Sequence, residues 1–129
     1  MEDLKSLLLY SIKSDIIEKE DMPNGERRIR LKLNNSCVFS MTQTQDTSGW
    51  QNAHYHINAT ETYIMQKGKI KIVKIENGKI KTYNLKSGDI FKISPKIEHN
   101  VFVEKNTTFY VFKKSNQSLE GDWYKAINF

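Results

Sequence analysis

Apolar and polar residues alternate along most of the chain with a period of two. Arg28-Ile29-Arg30-Leu31-Lys32-Leu33 does so strictly, as expected of a strand with one face against a core. Cys37 to Thr42, Thr60 to Gln66, Lys69 to Ile75, Lys79 to Leu85, Ile90 to Ile93, His99 to Val103 and Thr107 to Phe112 read as further strands. Turn residues separate them: Asn34-Asn35, Lys67-Gly68, Asn77-Gly78 and Ser87-Gly88-Asp89. Asn-Gly is the strongest of these signals, because both residues of a tight hairpin turn need positive φ. Gly68 and Gly88 are expected to adopt the same backbone. Many short strands with no convincing helix between them predict an all-β antiparallel sandwich or barrel. Residues 1–25 differ. Leu4, Leu7, Leu8 and Ile12 fit one face of a short N-terminal helix, closed by the turn Met22-Pro23-Asn24-Gly25. The expected organisation is a segment of residues 1–25 packing on a barrel of residues 26–129, in one domain.

A chain of 129 residues can bury the core of one such domain. Its net charge of +5 comes from 20 Lys+Arg against 15 Asp+Glu, but only Arg27, Arg28 and Arg30 are arginines. The lysines fit a solvated outer strand surface. Lys67, Lys69 and Lys71 are expected on one face, with Lys79 and Lys81 beside them across the hairpin and Ile70, Ile72 and Ile80 opposite. Nucleic-acid readers lean on arginine and on aromatic stacking, and that face has neither, so no nucleic-acid partner is expected. The longest early apolar run, Leu7 to Tyr10, is too short for a signal-peptide core or a membrane span. The lone Cys37 excludes an internal disulfide and reads as a buried, inert thiol. A cytoplasmic protein without a membrane partner is expected.

All three histidines fall in telling places. His54 and His56 are separated by one residue, so on an extended strand both project from one face. Glu61 follows on the next strand, and His99 lies beyond Pro95. Imidazole and carboxylate together suit Zn, Mn, Fe, Ni or Cu, although an isolated His-x-His is as readily a pair of hydrogen-bonded histidines. Glycine and proline frame the set. Gly49, four residues, His54-x-His56, four residues, Glu61, six residues and Gly68 form one block. Gly88, six residues, Pro95, three residues and His99-Asn100 form another.

These two blocks resemble the motifs of the cupin superfamily over about residues 49–113, half of the chain. The first departs by one residue in the Gly-to-His gap. The second lacks the glycine usual between proline and histidine, where Ile97 stands. The resemblance implies a jelly-roll β-barrel, often dimeric, in which His54, His56, Glu61 and His99 hold one divalent transition metal (Fe, Mn, Ni or Zn).

Such a metal polarises a carbonyl or hydroxyl, or binds dioxygen. No spare carboxylate stands out as a general base, so Glu61 and Tyr63, which share a strand face, are the catalytic candidates. Gln51, Asn100, Phe102, Arg28 and Arg30 are the candidate contacts to a small-molecule substrate. Trp50 and Asn52 would rim the pocket with Gln51, and Phe112 would serve as wall or core. Tyr55, between the two histidines, should face outward. His54-Tyr55-His56 with Glu61-x-Tyr63 is also similar to cupin-type sugar-phosphate isomerases, although the gap from His56 to Glu61 is tighter. A metal-dependent sugar isomerase or epimerase is therefore the leading expectation. The alternatives are a dioxygenase or lyase acting on a small organic acid, and a non-catalytic ligand-sensing cupin. The aromatic tail, Gly121 to Phe129, is expected to pack across the barrel or in a homodimer interface.

Overall fold

The computed structural model describes residues 17–129. The helix expected through Leu4, Leu7, Leu8 and Ile12 lies outside them. The described residues form twelve strands: β1 (Ile17–Asp21), β2 (Arg27–Asn34), β3 (Cys37–Gln43), β4 (Gly49–Trp50), β5 (His54–Tyr55), β6 (Thr60–Lys67), β7 (Lys69–Glu76), β8 (Lys79–Lys86), β9 (Ile90–Ile93), β10 (Glu98–Val103), β11 (Thr108–Lys114) and β12 (Tyr124–Lys125). One sheet runs β1-β2-β3-β11-β6-β9 and the other β12-β5-β10-β7-β8, with β4 also on β10. The pairings are antiparallel, and the protein is an antiparallel jelly-roll barrel. Part of the segment before residue 26 belongs to this framework, because β1 pairs with β2 along its length. Among the described residues no helix is long and apolar enough to cross a membrane.

The expected strands are present, most of them a residue or two longer. Gly68 and Gly88 have φ of 81° and 92°. At Gly68 a Cβ would also stand 2.7 Å from the Thr107 Cα, so both backbone conformation and close approach require glycine there.

Register corrects the reading of the β7–β8 hairpin. The turn at Asn77-Gly78 pairs Glu76 with Lys79 and Ile75 with Ile80. Cross-strand partners share a face, so Lys79 and Lys81 stand on the face of Ile70 and Ile72, and Ile80 stands on the other. Ile80 is 72% exposed, whereas Ile70 and Ile72 are buried. A single-residue change of parity moves every side chain of a strand to the opposite face.

The core lies between the sheets and is built from Tyr63, Met65, Ile70, Ile72, Leu85, Ile93, Val101, Val103, Phe109 and Val111. These are alternate residues of β6 to β11, as the period of two requires. The same alternation continues into polar residues: Glu61 on β6, His99 on β10 and Lys113 on β11. Those side chains meet at one end of the barrel.

Candidate metal centre

The ligand loop is short and rigidly framed. His54 lies on β5 opposite His99 on β10, His56 just beyond it, and Glu61 on β6. All four side chains are buried. Their ligand atoms lie within 4.8 Å of one another. An ion bound at 2.0–2.2 Å would place neighbouring ligand atoms about 3 Å apart. Glu61 Oε1 stands 3.2 Å from His56 Nε2 and 2.9 Å from His99 Nε2.

The proton positions decide what those short distances mean. His54 Nδ1 donates to the Asn52 carbonyl at 2.7 Å, His99 Nδ1 to that of Ile97 at 2.9 Å, and His56 Nδ1 to that of Asp122. With each proton held on Nδ1, every Nε2 presents a lone pair to the centre. His56 Nε2, His99 Nε2 and Glu61 Oε1 are buried without hydrogen-bond partners. Lone pairs facing one another in a dry site repel, and a divalent cation among them satisfies all at once. The donor set therefore fits one transition metal, with three neutral imidazoles and one carboxylate.

The electrostatics agree. Burial pushes the His54 imidazole down to about 3, and the neighbouring His99 adds to the shift. The Tyr63 hydroxyl donates to Glu61 Oε2 at 3.5 Å. Burial, reinforced by the Glu61 charge, raises that phenol well above its ordinary value, so Tyr63 is a proton donor to Glu61 rather than a base.

A cavity of about 60 Å³ adjoins the cluster, lined by Arg28, Arg30, Gln51, Lys113 and Trp123 together with His54, Glu61 and Tyr63. An outer recess of about 430 Å³ shares Arg28, Arg30, Lys113 and Trp123 with it. The two arginines are already engaged. Arg28 reaches the buried Glu26 at 3.3 Å and Glu20 at 3.9 Å, and Arg30 reaches Glu20 at 3.6 Å and Glu18 at 3.9 Å. Gln51 also donates to Glu26, at 2.8 Å. Lys113, the cross-strand neighbour of Glu61, makes no ion pair among the described residues. Burial lowers its pKa.

No known family profile matches the chain. Solved structures with the same fold include oxalate decarboxylase variants from Bacillus subtilis. One aligns with a TM-score of 0.69 at 13% identity, over 86% of this chain and 30% of that one. Oxalate decarboxylase from Lactobacillus farciminis aligns with a TM-score of 0.68 at 12% identity, over 86% of this chain and 34% of that one. The chain has their fold, a cupin-type jelly-roll barrel. Curated relatives include two proteins named 3-hydroxyanthranilate 3,4-dioxygenase. The one from Lodderomyces elongisporus is 29% identical over 108 residues, and the one from Candida albicans is 30% identical over 107. These alignments take in 79% and 78% of this chain, which spans 62% of the length of either relative.

Eight of the ten site residues expected from the sequence come together: His54, His56, Glu61 and His99 as the ligand cluster, and Tyr63, Arg28, Arg30 and Gln51 around the cavity.

 Asn100 and Phe102 are the two that do not, and this corrects their expected role. On β10, His99, Val101 and Val103 point inward, so Asn100 and Phe102 project from the outer face. Phe102 there packs edge-to-face on Trp50, with ring centroids 5.3 Å apart. Phe112 lies on an outer face too, against Phe39. The sequence reading missed Lys113 and Asp122. The alternation Phe109, Val111, Lys113 was the available signal for the lysine; nothing local marked the aspartate.

Proposed function

We propose that this chain is a cupin and a metal-dependent enzyme that oxidises a small organic acid with dioxygen. The observation that carries this reading is Lys113, which shares one cavity with His54 and Glu61. Arg28 and Arg30 in the same lining are balanced by Glu18, Glu20 and Glu26. The lysine, without an ion pair among the described residues, is therefore the cation that favours an anionic substrate over a neutral sugar, and the two curated relatives are named 3-hydroxyanthranilate 3,4-dioxygenase. Sugar isomerisation, the leading expectation from His54-Tyr55-His56, has no comparable support.

When bound, the metal supplies Lewis acidity and, if it is iron, a redox partner for dioxygen. The chain's own residues do the rest. Lys113, free of an ion pair, takes the substrate carboxylate, with Arg30 beside it. Glu26 tethers Arg28 and Gln51 and so keeps that wall in place. The Tyr63 hydroxyl donates to Glu61 Oε2, leaving Oε1 for the centre. Trp123 closes one side of the cavity.

A second reading, decarboxylation without net oxidation, is favoured by the inner cavity. Its volume of about 60 Å³ accepts only some four to six water-sized groups, at roughly 10–15 Å³ each. That room suits a very small acid unless the outer recess also takes part. The deciding experiment loads the protein with Fe(II) or Mn(II) and follows oxygen uptake and CO2 release. 3-Hydroxyanthranilate and oxalate are the first acids to offer, beside a panel of aldose and ketose phosphates. Uptake of oxygen in proportion to acid consumed is expected; CO2 release unchanged under anaerobic conditions selects the second reading. Turnover of a sugar phosphate with neither acid consumed would overturn both.

We also assign the outer face around Trp50 and Phe102 to a homodimer contact, because Trp50 is 47% exposed there; a monomeric mass in solution would refute it.

A further inference from the structure

The segment from Leu119 to Asn128 crosses the metal end of the barrel. The Asp122 carboxylate is buried and accepts from three consecutive backbone N–H groups. Oδ1 takes Ile57 at 2.8 Å and Asn58 at 3.2 Å, and Oδ2 takes Asn58 at 3.1 Å and Ala59 at 3.0 Å. Those residues form the loop between His56 and Glu61. The Asp122 backbone carbonyl receives the His56 Nδ1 proton. The next residue, Trp123, lies flat on His54, with ring centroids 5.4 Å apart and planes 17° apart. Tyr124 and Lys125 then pair with Tyr55 and His54, and Ala126 N donates to the Ala53 carbonyl at 3.0 Å. Asn128 Nδ2 reaches Glu98, the neighbour of His99, at 2.6 Å.

The three histidines differ in one respect. His54 and His99 take their Nδ1 acceptors from carbonyls two residues away, within their own segments. His56 takes its acceptor from Asp122, 66 residues further along the chain. The aim of His56 Nε2 thus depends on tertiary docking, and the loop leading to Glu61 depends on it too. A group of backbone N–H donors converging on one carboxylate is a strong local anchor, and outer partners of this kind set ligand orientation.

We infer that residues 119–128 form a strap that completes the metal centre, with Asp122 as the positioning residue for His56 and the 57–59 loop, so that metal binding and strap docking reinforce each other. The inference rests on the metal centre and not on the reaction. If docking presents His56, an ion that needs His56 favours the docked strap, and the coupling is reciprocal.

The test measures Zn(II) affinity by chelator competition in the wild type, Asp122→Asn and Asp122→Ala, with amide hydrogen exchange in the presence and absence of Zn(II). Zinc is used because its binding needs no turnover. Asp122→Asn keeps the shape and one acceptor oxygen, so it stands if Asp122→Ala does not fold. Its zinc affinity is expected to fall about 10–100-fold, while core amides such as Val101 and Val111 keep their protection. In the wild type, zinc should slow exchange at 57–59 and 123–126, and Asp122→Asn should blunt that response. Wild-type affinity in Asp122→Asn overturns the inference, and so does loss of core protection along with metal, which would make Asp122 merely structural. A wild type that binds no zinc, manganese or iron removes the metal centre itself, a different failure.

Discussion

Three strands carry both ends of the barrel interior, and the ends are built on opposite terms. Inward residues run Glu61, Tyr63, Met65 on β6, His99, Val101, Val103 on β10, and Lys113, Val111, Phe109 on β11. At the apolar end, Met65, Val103 and Phe109 are at most 2% exposed and pack against Ile70 and Ile72. At the polar end, equally buried atoms of Glu61, His56 and His99 have no hydrogen-bond partner. One end stabilises the fold and the other strains against it. Because the strands are continuous, the packed end holds the ligand end in position, which is how a site of unsatisfied groups persists.

The comparison breaks if the apolar end is not where stability resides. Phe109→Ala removes a fully buried ring and is expected to cost about 3–5 kcal/mol, lowering Tm by about 10 °C or more. Thermal melts of the metal-free protein measure it. At the other end, His99→Leu replaces an unsatisfied imidazole with an apolar group of similar size. The metal-free protein should then melt no lower than wild type, within about 1 kcal/mol. The added stability from metal, about 4 kcal/mol at a thousand times Kd, should vanish. A His99→Leu variant that still gains stability from Zn(II) or Mn(II) argues against the ligand set.

Acid sharpens the same contrast. His54 is held near 3, against 6.5 for a free imidazole, so the unfolded chain binds a proton there that the folded chain does not. A group with depressed pKa contributes stability that is present above its unfolded value and is lost as pH falls toward the folded one. The metal-free protein should therefore lose stability progressively below about pH 6.5, reading as a falling Tm. Phe109→Ala should shift that curve without changing its slope, and His54→Leu should flatten it between pH 6.5 and pH 4.5.

Much of this contrast was legible in the residues. Period-two alternation marked the strands, and glycine spacing around His54, His56, Glu61 and His99 marked the ligands, because both are local. Parity also bore on Asn100: a residue beside His99 on a strand must face away from it, as the structure shows. What escaped depends on register and docking. Lys113 reaches the site because β11 pairs it with Glu61, and Asp122 because a distant strap lies across the 57–59 loop. No spacing along the chain encodes either meeting.

Lys113 tests the polar end more finely. Lys113→Met keeps the stem and removes the charge, so metal binding should persist while kcat/KM for the acid falls about 10–100-fold, the value of one hydrogen bond to a charged group. Arg27→Met, on a residue whose side chain is 74% exposed, is the matched loss of one positive charge and should leave kcat/KM unchanged. Equal losses in the two variants would mean that net charge, and not a contact in the cavity, governs the substrate.

The smallest effect is expected where neither end reaches. Ile80 stands 72% exposed near the tip of the β7–β8 hairpin, on the face opposite Ile70 and Ile72. Had the hairpin paired with the other parity, Ile80 would be a core residue and Ile80→Thr would cost as much as other core truncations. With Ile75 opposite Ile80, the substitution should change stability by less than about 0.5 kcal/mol, leaving both the Tm and the zinc affinity where they are. A larger loss of stability that is independent of protein concentration would mean that the register is wrong. A loss that grows on dilution would instead mean that Ile80 is covered by a second copy of the chain, moving the dimer contact from the Trp50 face alone to the hairpin as well.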